Sequence, residues 1–234
     1  MPTLVELREQ YPNSFGWRVW HGAADGLLRS PVLGTPSPGV QLAAVCPHGN
    51  EVPSASCICG VHYVTRAENF FAAVEYMSNP STPGFVELRP QVYTFGAAIG
   101  PTMLDADLDE LWLERPTRAR VFHILAIMIP TVSRAVSEAA RMAVMRGDAD
   151  PVVCAGFNMR DPGALRDRLE QRYGVPVGEV RYEVGRYGHM VRGALAVEAL
   201  LDDRDVPNEV AVALVESHEQ PAPVHPDVAR LCNA

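Results

Sequence analysis

The chain has 234 residues, 47% of them hydrophobic and 21% charged. That is ordinary globular composition, long enough for one large domain or two small ones. A formal net charge of −8 and a sequence pI of about 5.4 exclude a protein whose main task is to coat nucleic acid, because neutralised phosphate supplies most of that affinity.

Taken in chain order, the opening TLVELREQYPNS predicts a helix of one or two turns. Thr3 stands as N-cap, Glu6 three residues later completes a capping box, and Pro12 ends the run. From Phe15 to about Ile129 short apolar or alternating runs are punctuated by Gly and Pro: FGWRVWHG, GLLRSPVLG, VQLAAVCP, GVHYVT, GFVELRPQVYTFG and RARVFHILAIMI. This texture predicts strands and turns. Within it RAENFFAAVEYMSN reads as a helical insertion, with Phe70, Phe71, Val74 and Met77 at helical spacing. The run 118–129 is apolar nearly throughout, as a central strand would be.

Beyond Pro130 the pattern is mixed. TVSRAVSEAARMAVMRGD predicts a helix of about four turns, capped by Thr131 or Ser133 and terminated by Gly147. PVVCAGF reads as a buried strand with Cys154 in the core. DPGALRDRLEQRYG is a second helix, with Asp161 as cap, Pro162 at the first helical position and Gly174 just past the end. EVRYEV alternates as a strand, and the residues after it, through Leu201, fit helix or strand. NEVAVALVESHEQ after Pro207 is likewise helix or strand. The closing PAPVHPDVARLCNA is too rich in proline for a fold element, and Cys232 there is a lone thiol. The expected fold class is α+β: a β-rich module with a Cys/His cluster over 1–129, a mixed α/β part over 130–218 packed on it, and a mobile tail over 219–234.

All twenty basic residues are arginine, a bias that points to a GC-rich genome rather than to chemistry. The N-terminus shows no charged stretch followed by an apolar core, and no apolar run is long enough to span a bilayer. The expected location is the cytoplasm of a bacterial or phage-infected cell.

The segment AVCPHGNEVPSASCICG gathers three of the five cysteines within fourteen positions. In a reducing compartment disulfides rarely persist, so metal binding, reactivity and simple burial are the open readings. Zinc wants four tetrahedral ligands of sulfur or imidazole nitrogen, and Cys46, His48, Cys57 and Cys59 supply four. The spacing is tighter than paired CxxC knuckles, but a turn at GNEVPSAS would bring the two pairs face to face. Gly60 would relieve crowding after Cys59. His62 competes with His48 as fourth ligand. Four protein ligands would close the site and make it structural. A catalytic thiol at Cys57 or Cys59 would need a helix start or a basic neighbour to lower its pKa, and neither adjoins them in sequence.

The acidic run LDADLDELWLE offers a second candidate. Asp105, Asp107 and Asp109 lack the turn glycine and terminal acid of a calcium loop, so a solvated face or a docking patch remains, with Trp112 ringed by carboxylates. Trp17 and Trp20, three apart on a strand, face opposite sides, and one of them is expected in the core. His21 and His123 lack an acid neighbour in sequence and read as buried histidines that merely hydrogen-bond. Arg181, Arg186 and Arg192 interleave with Tyr182 and Tyr187 as in a nucleic-acid strip, though with glutamates among them. No P-loop, GxGxxG turn, GxSxG elbow or HExxH helix occurs.

At FGWRVWHGAADGLLRSPV and AVCPHGNEVPSASCICGVHYV the sequence resembles a scattered group of actinobacterial and actinophage proteins. Their pattern runs GWRxW, a GxLxSP turn, a cysteine, then CxCG and an aromatic strand. The likeness covers roughly the first hundred residues, and more weakly RARVFHILAI and RLEQRYGVPV. It implies a shared β-rich, zinc-bearing module. Within that group the chain is similar to the recombination directionality factors that phages supply to their large serine integrases, proteins that bind the integrase and switch which attachment sites it pairs. The resemblance implies a non-enzymatic accessory protein that acts through protein contacts, with little nucleic-acid affinity of its own. The alternatives are a general zinc-stabilised interaction module, or an enzyme of unrecognised class using Cys59, His48 or His62. Serine in place of Cys57 or Cys59 is expected to unfold an accessory factor and release its metal, but to leave an enzyme folded and inactive.

Overall fold

The fold is that of a computed structural model, which describes residues 2–22, 26–30, 36–57, 59–77, 91–104, 116–132, 162–182, 187–202 and 204–218. It is α+β. Helix α1 (Leu4–Gln10) starts on the expected capping box: the Glu6 backbone N–H donates to Thr3 Oγ1 at 3.3 Å, and the Thr3 N–H donates to Glu6 Oε2 at 2.8 Å. A 3₁₀ turn over Pro12–Ser14 leads into β1 (Phe15–Gly22). Short strands follow, β2 (Leu28–Arg29), β3 (Pro36–Ser37), β4 (Gln41–Ala43) and β5 (Val61–Tyr63). Helix α2 (Ala67–Met77) is the expected insertion.

Two long strands carry the sheet, β6 (Gln91–Leu104) and β7 (Thr117–Val132). Among the described residues eight strands form one sheet, with the order β3-β2-β1-β6-β7-β4, and β5 and β8 also pair with β7. Strand β8 (Val177–Tyr182) runs parallel to β7, and the other pairings are antiparallel. The central place expected for 118–129 is therefore real. One edge of β7 pairs with β6. The other is shared in series by β5 at 117–119, β4 at 121–123 and β8 at 127–132. Between Phe95 and Gly96 the β6–β7 register slips, which leaves Leu125 as an extra residue in a β-bulge.

Helices α3 (Pro162–Tyr173), α4 (Tyr187–Ala199) and α5 (Asn208–His218) complete the described chain. Pro162 opens α3 and Gly174 follows its end, as the sequence predicts. The two ambiguous segments are helices. The reason for the first is packing: α4 lies so close on the sheet that a Cβ at Gly193 would stand 2.1 Å from Val180 Cγ1. An apolar run read by itself cannot reveal that contact.

Both faces of the sheet are covered. On one face Leu4, Leu7, Trp17, Phe70, Phe71, Phe95, Val197, Val210 and Leu214 form a core beneath α1, α2, α4 and α5. On the other, Trp20, Tyr63, Phe122, Ile124, Leu165 and Leu169 pack beneath α3. Trp17 and Trp20 do face opposite ways, but both are fully buried, so the expectation of a single core tryptophan is corrected. Each indole N–H has a partner. Trp20 Nε1 donates to Thr94 Oγ1 at 2.8 Å, and Trp17 Nε1 donates to Glu198 Oε1 at 2.6 Å. Glu198 is only 4% exposed, and its other oxygen pairs with the Arg8 guanidinium at 2.6 Å. One carboxylate thus ties α1, β1 and α4 together, satisfying a buried donor and a buried charge at once.

Strand β7 runs through Pro130 to Val132, and the core beneath α1 draws residues from both sides of that position. Thr131, offered as a helix cap, is instead a residue of β7 paired with Arg181, because the strand extends past Pro130 to pair with β8; the rest of the expected helix from Ser133, the strand around Cys154, Asp161, and the tail over 219–234 with Cys232 lie outside the described residues. No described helix is long and apolar enough to cross a membrane.

Candidate metal centre

The cysteine cluster lies in the segment that links β4 to β5. Cys46, Pro47, His48 and Gly49 form a tight turn in which the Gly49 N–H donates to the Cys46 carbonyl at 3.1 Å. Pro47, at the second position, presets the backbone angle such a turn needs. A second turn closes between Ser54 and Cys57, which pair as an isolated bridge. Ser54 Oγ accepts from the Ser56 N–H at 3.2 Å and holds it. The intervening residues fold these two turns onto each other, as expected from GNEVPSAS.

The result brings three of the four proposed ligands together. The Sγ atoms of Cys46, Cys57 and Cys59 lie within 4.8 Å of one another, and Cys46 and Cys57 approach to 3.7 Å. A tetrahedral centre with metal–sulfur bonds of about 2.3 Å spaces its sulfurs about 3.8 Å apart, so this edge is already of coordination length. His48 stands beside the triad, with Nδ1 3.8 Å from Cys46 Sγ, but among the described residues it is not part of the ligand group that the three sulfurs form. His62 lies on β5 opposite Arg118. Among the described residues it is not part of the ligand group that the three sulfurs form. The group is compatible with a thiophilic metal such as zinc.

The thiols are electrostatically unequal. Burial works to raise the Cys46 pKa, but hydrogen bonds from the Asn50 and His48 backbones, with Cys59 and the His48 side chain, outweigh it and hold the group at about 6. Cys59 is pushed up to about 11, first by burial and then by hydrogen bonds and charge from Cys46 and Cys57. One thiolate forms readily, and its neighbour resists a second negative charge. A bound cation reverses that repulsion, since coordinated thiols are deprotonated outright.

Arg118, which the sequence reading did not single out, organises the segment from β7. Its side chain is 1% exposed. Through NH1 it donates to the carbonyls of Cys57, of Ser54 at 3.3 Å and of Cys59 at 3.5 Å. NH2 reaches Met103 Sδ at 3.4 Å. The crowding expected at Gly60 is against this arginine rather than against a metal: a Cβ there would come within 3.0 Å of Arg118 Cβ. Nearby, Arg18 NH1 donates to the His62 carbonyl at 2.8 Å while its guanidinium lies over Trp20. Burial holds the Arg18 pKa down at about 10.

The docking-patch candidates Asp105, Asp107, Asp109 and Trp112 lie outside the described residues, as does Arg186. Comparison with protein-family models, with curated proteins and with solved structures returns no match.

Proposed function

We propose that the chain is a zinc-stapled accessory protein of the cytoplasm, acting by docking to another macromolecule rather than by turning over a substrate. The observation that carries this reading is the gathering of the Cys46, Cys57 and Cys59 sulfurs within 4.8 Å in a segment clasped by a buried arginine. With His48 as fourth ligand, no position is left for a substrate or an activated water, which is the arrangement of a structural site. Zinc fits the sulfur-rich donor set.

In its finer form the proposal follows the resemblance: the partner is a large serine integrase on DNA, and binding shifts which synaptic state the integrase favours. The acidic net charge of −8 supports contact through the protein rather than the phosphates. Two measurements test it. Elemental analysis of the purified chain should find about one zinc per molecule, and adding the protein to integrase with paired attachment-site plasmids should reverse the favoured reaction. Absence of stoichiometric metal removes the staple, and an unchanged recombination direction removes the integrase.

The 3.8 Å approach of His48 to Cys46 favours one second reading, a thiol-based enzyme. Cys46→Ser separates the two. An accessory protein loses metal and partner binding together, whereas an enzyme keeps its fold and loses turnover alone.

A further inference from the structure

Thiols gathered closely enough to grip an ion are also close enough to react with one another. Cys46, Cys57 and Cys59 are all free thiols. Cys46 and Cys57 are 11 residues apart in sequence, and their Sγ atoms lie 3.7 Å apart. A disulfide needs about 2.05 Å, so a shift of about 1.7 Å closes the pair. Cys57 and Cys59 are the less suited pair, because a bridge across a single residue lies far from relaxed disulfide geometry.

Access and support differ along the segment. Cys46 is 7% exposed, whereas Cys57 is half-buried, so an oxidant arriving from solvent meets Cys57 first. Arg118 holds Cys57 by its backbone carbonyl and not by its sulfur, so the clasp is indifferent to what happens at the thiol. Cys46 belongs to neither core cluster, which lets the segment change state while the sheet keeps its packing.

We infer that Cys46 and Cys57 form a reversible dithiol–disulfide pair, oxidised by hydrogen peroxide, whose closure expels the metal ion. The inference rests on reading the cluster as a metal site and adds the regulation of that site. The Cys57 sulfur attacks one peroxide oxygen; the O–O bond breaks, Cys57 becomes a sulfenic acid, and the departing hydroxide takes up a proton as water. The Cys46 sulfur then attacks Cys57 Sγ; the S–O bond breaks, and a second hydroxide leaves as water. Each sulfur gives up one electron and the peroxide takes both. The two protons come from the thiols, or from solvent where a cation has already displaced them. Only Cys59 of the three sulfurs then remains a thiolate ligand, too few for the four-coordinate shell zinc takes. In a reducing compartment such a bond is transient, which suits a signal, and a small thiol reopens it by exchange.

The test uses the full chain loaded with zinc, treated with hydrogen peroxide, alkylated, and cleaved at Glu51, which lies between the two cysteines. One zinc should pass to a chromophoric chelator for each disulfide formed. Mass spectrometry should find Cys46 linked to Cys57 with Cys59 alkylated, and dithiothreitol should restore zinc binding. Cys59→Ser, which leaves the pair in place, should keep the link. The inference is overturned if peroxide leaves the ion bound, if the link joins other cysteines, if Cys57 proceeds to sulfinic acid instead, or if reductant fails to restore the metal. Should Cys59→Ser fail to fold, the linkage in the native chain still decides. A chain that takes up no zinc fails the metal reading itself, which elemental analysis shows before peroxide is added. A chain that holds zinc yet never links Cys46 to Cys57 keeps its staple and fails this inference alone.

Discussion

Replacing Arg118 by methionine tests whether the metal segment is positioned from β7. The NH1 group has two protons and three carbonyls within reach, those of Cys57, Ser54 and Cys59, so at most two are held at once. Each hydrogen bond from a charged donor contributes about 1.5–3 kcal/mol, giving a gross loss of about 3–6 kcal/mol. Methionine no longer has to bury a charge, which offsets part of it, and the net is about 2–3 kcal/mol. Because the three carbonyls belong to the segment that carries the cysteines, most of the loss should fall on metal binding. Zinc affinity should drop roughly 10–100-fold, the range for removing an outer-shell support. Competition against a chromophoric chelator measures this, with melting curves recorded with and without metal. Arg118→Lys should recover little, since an ammonium cannot span the same carbonyls. The reasoning is refuted if Arg118→Met binds zinc as wild type does, or if its melting temperature falls equally in both states. Either result would make Arg118 a support of the sheet alone.

Metal removal by a chelator should be a local event: amide exchange should accelerate over residues 44–60, while β6 and β7 stay protected, and global exchange would contradict it. At the buried carboxylate, Glu198→Gln should cost about 1–2 kcal/mol, because an amide oxygen still accepts from Trp17 but the ion pair to half-exposed Arg8 is lost. Glu198→Ala, which also strands the indole N–H, should cost about 3 kcal/mol by urea denaturation; equal costs would show that the charge, not the acceptor, carries the contribution. His123 has a folded pKa below the ordinary 6.5, so the unfolded chain takes up its proton first on acidification. Its contribution to stability is present above about pH 6.5 and is lost as the pH falls through that value toward the folded pKa. Subtracting the melting profile of His123→Phe from that of wild type should isolate this decline, and a difference independent of pH would refute it.

Much of the framework is legible residue by residue. Thr3 and Glu6 carry their helix start within four positions, and Phe70 and Phe71 announce α2. Cys46, Cys57 and Cys59 stand out because the metal-binding types are close in sequence. What escapes a reading of the sequence depends on partners far along the chain. Arg118 sits in an apolar strand and acquires its role only because the loop of Cys57, 61 residues earlier, folds over it. Glu198 lies in a run that fits helix or strand, and its partners are Arg8 and Trp17 at the other end of the chain. The two tryptophans are both buried because helices from distant segments cover both faces, whereas alternation alone implies one wet face.

The metal segment differs in kind from the rest of the fold. Cys46 and Val52 are buried, yet among the described residues neither belongs to either core cluster. The segment therefore draws little from the hydrophobic burial that holds the sheet, and without a ligand it has two turns and the Arg118 clasp to set against its chain entropy. The sheet has its own two cores, so the cost of losing a cysteine should be confined to the stapled segment rather than unfold the whole chain. That confinement also narrows where a metal-dependent partner can bind. Val45, 84% exposed beside Cys46, and the outward backbone of the two turns are ordered or released with the ion. A macromolecule that contacts this rim would recognise the metal-bound form by differential affinity, while one that contacts the helices would not distinguish the two forms.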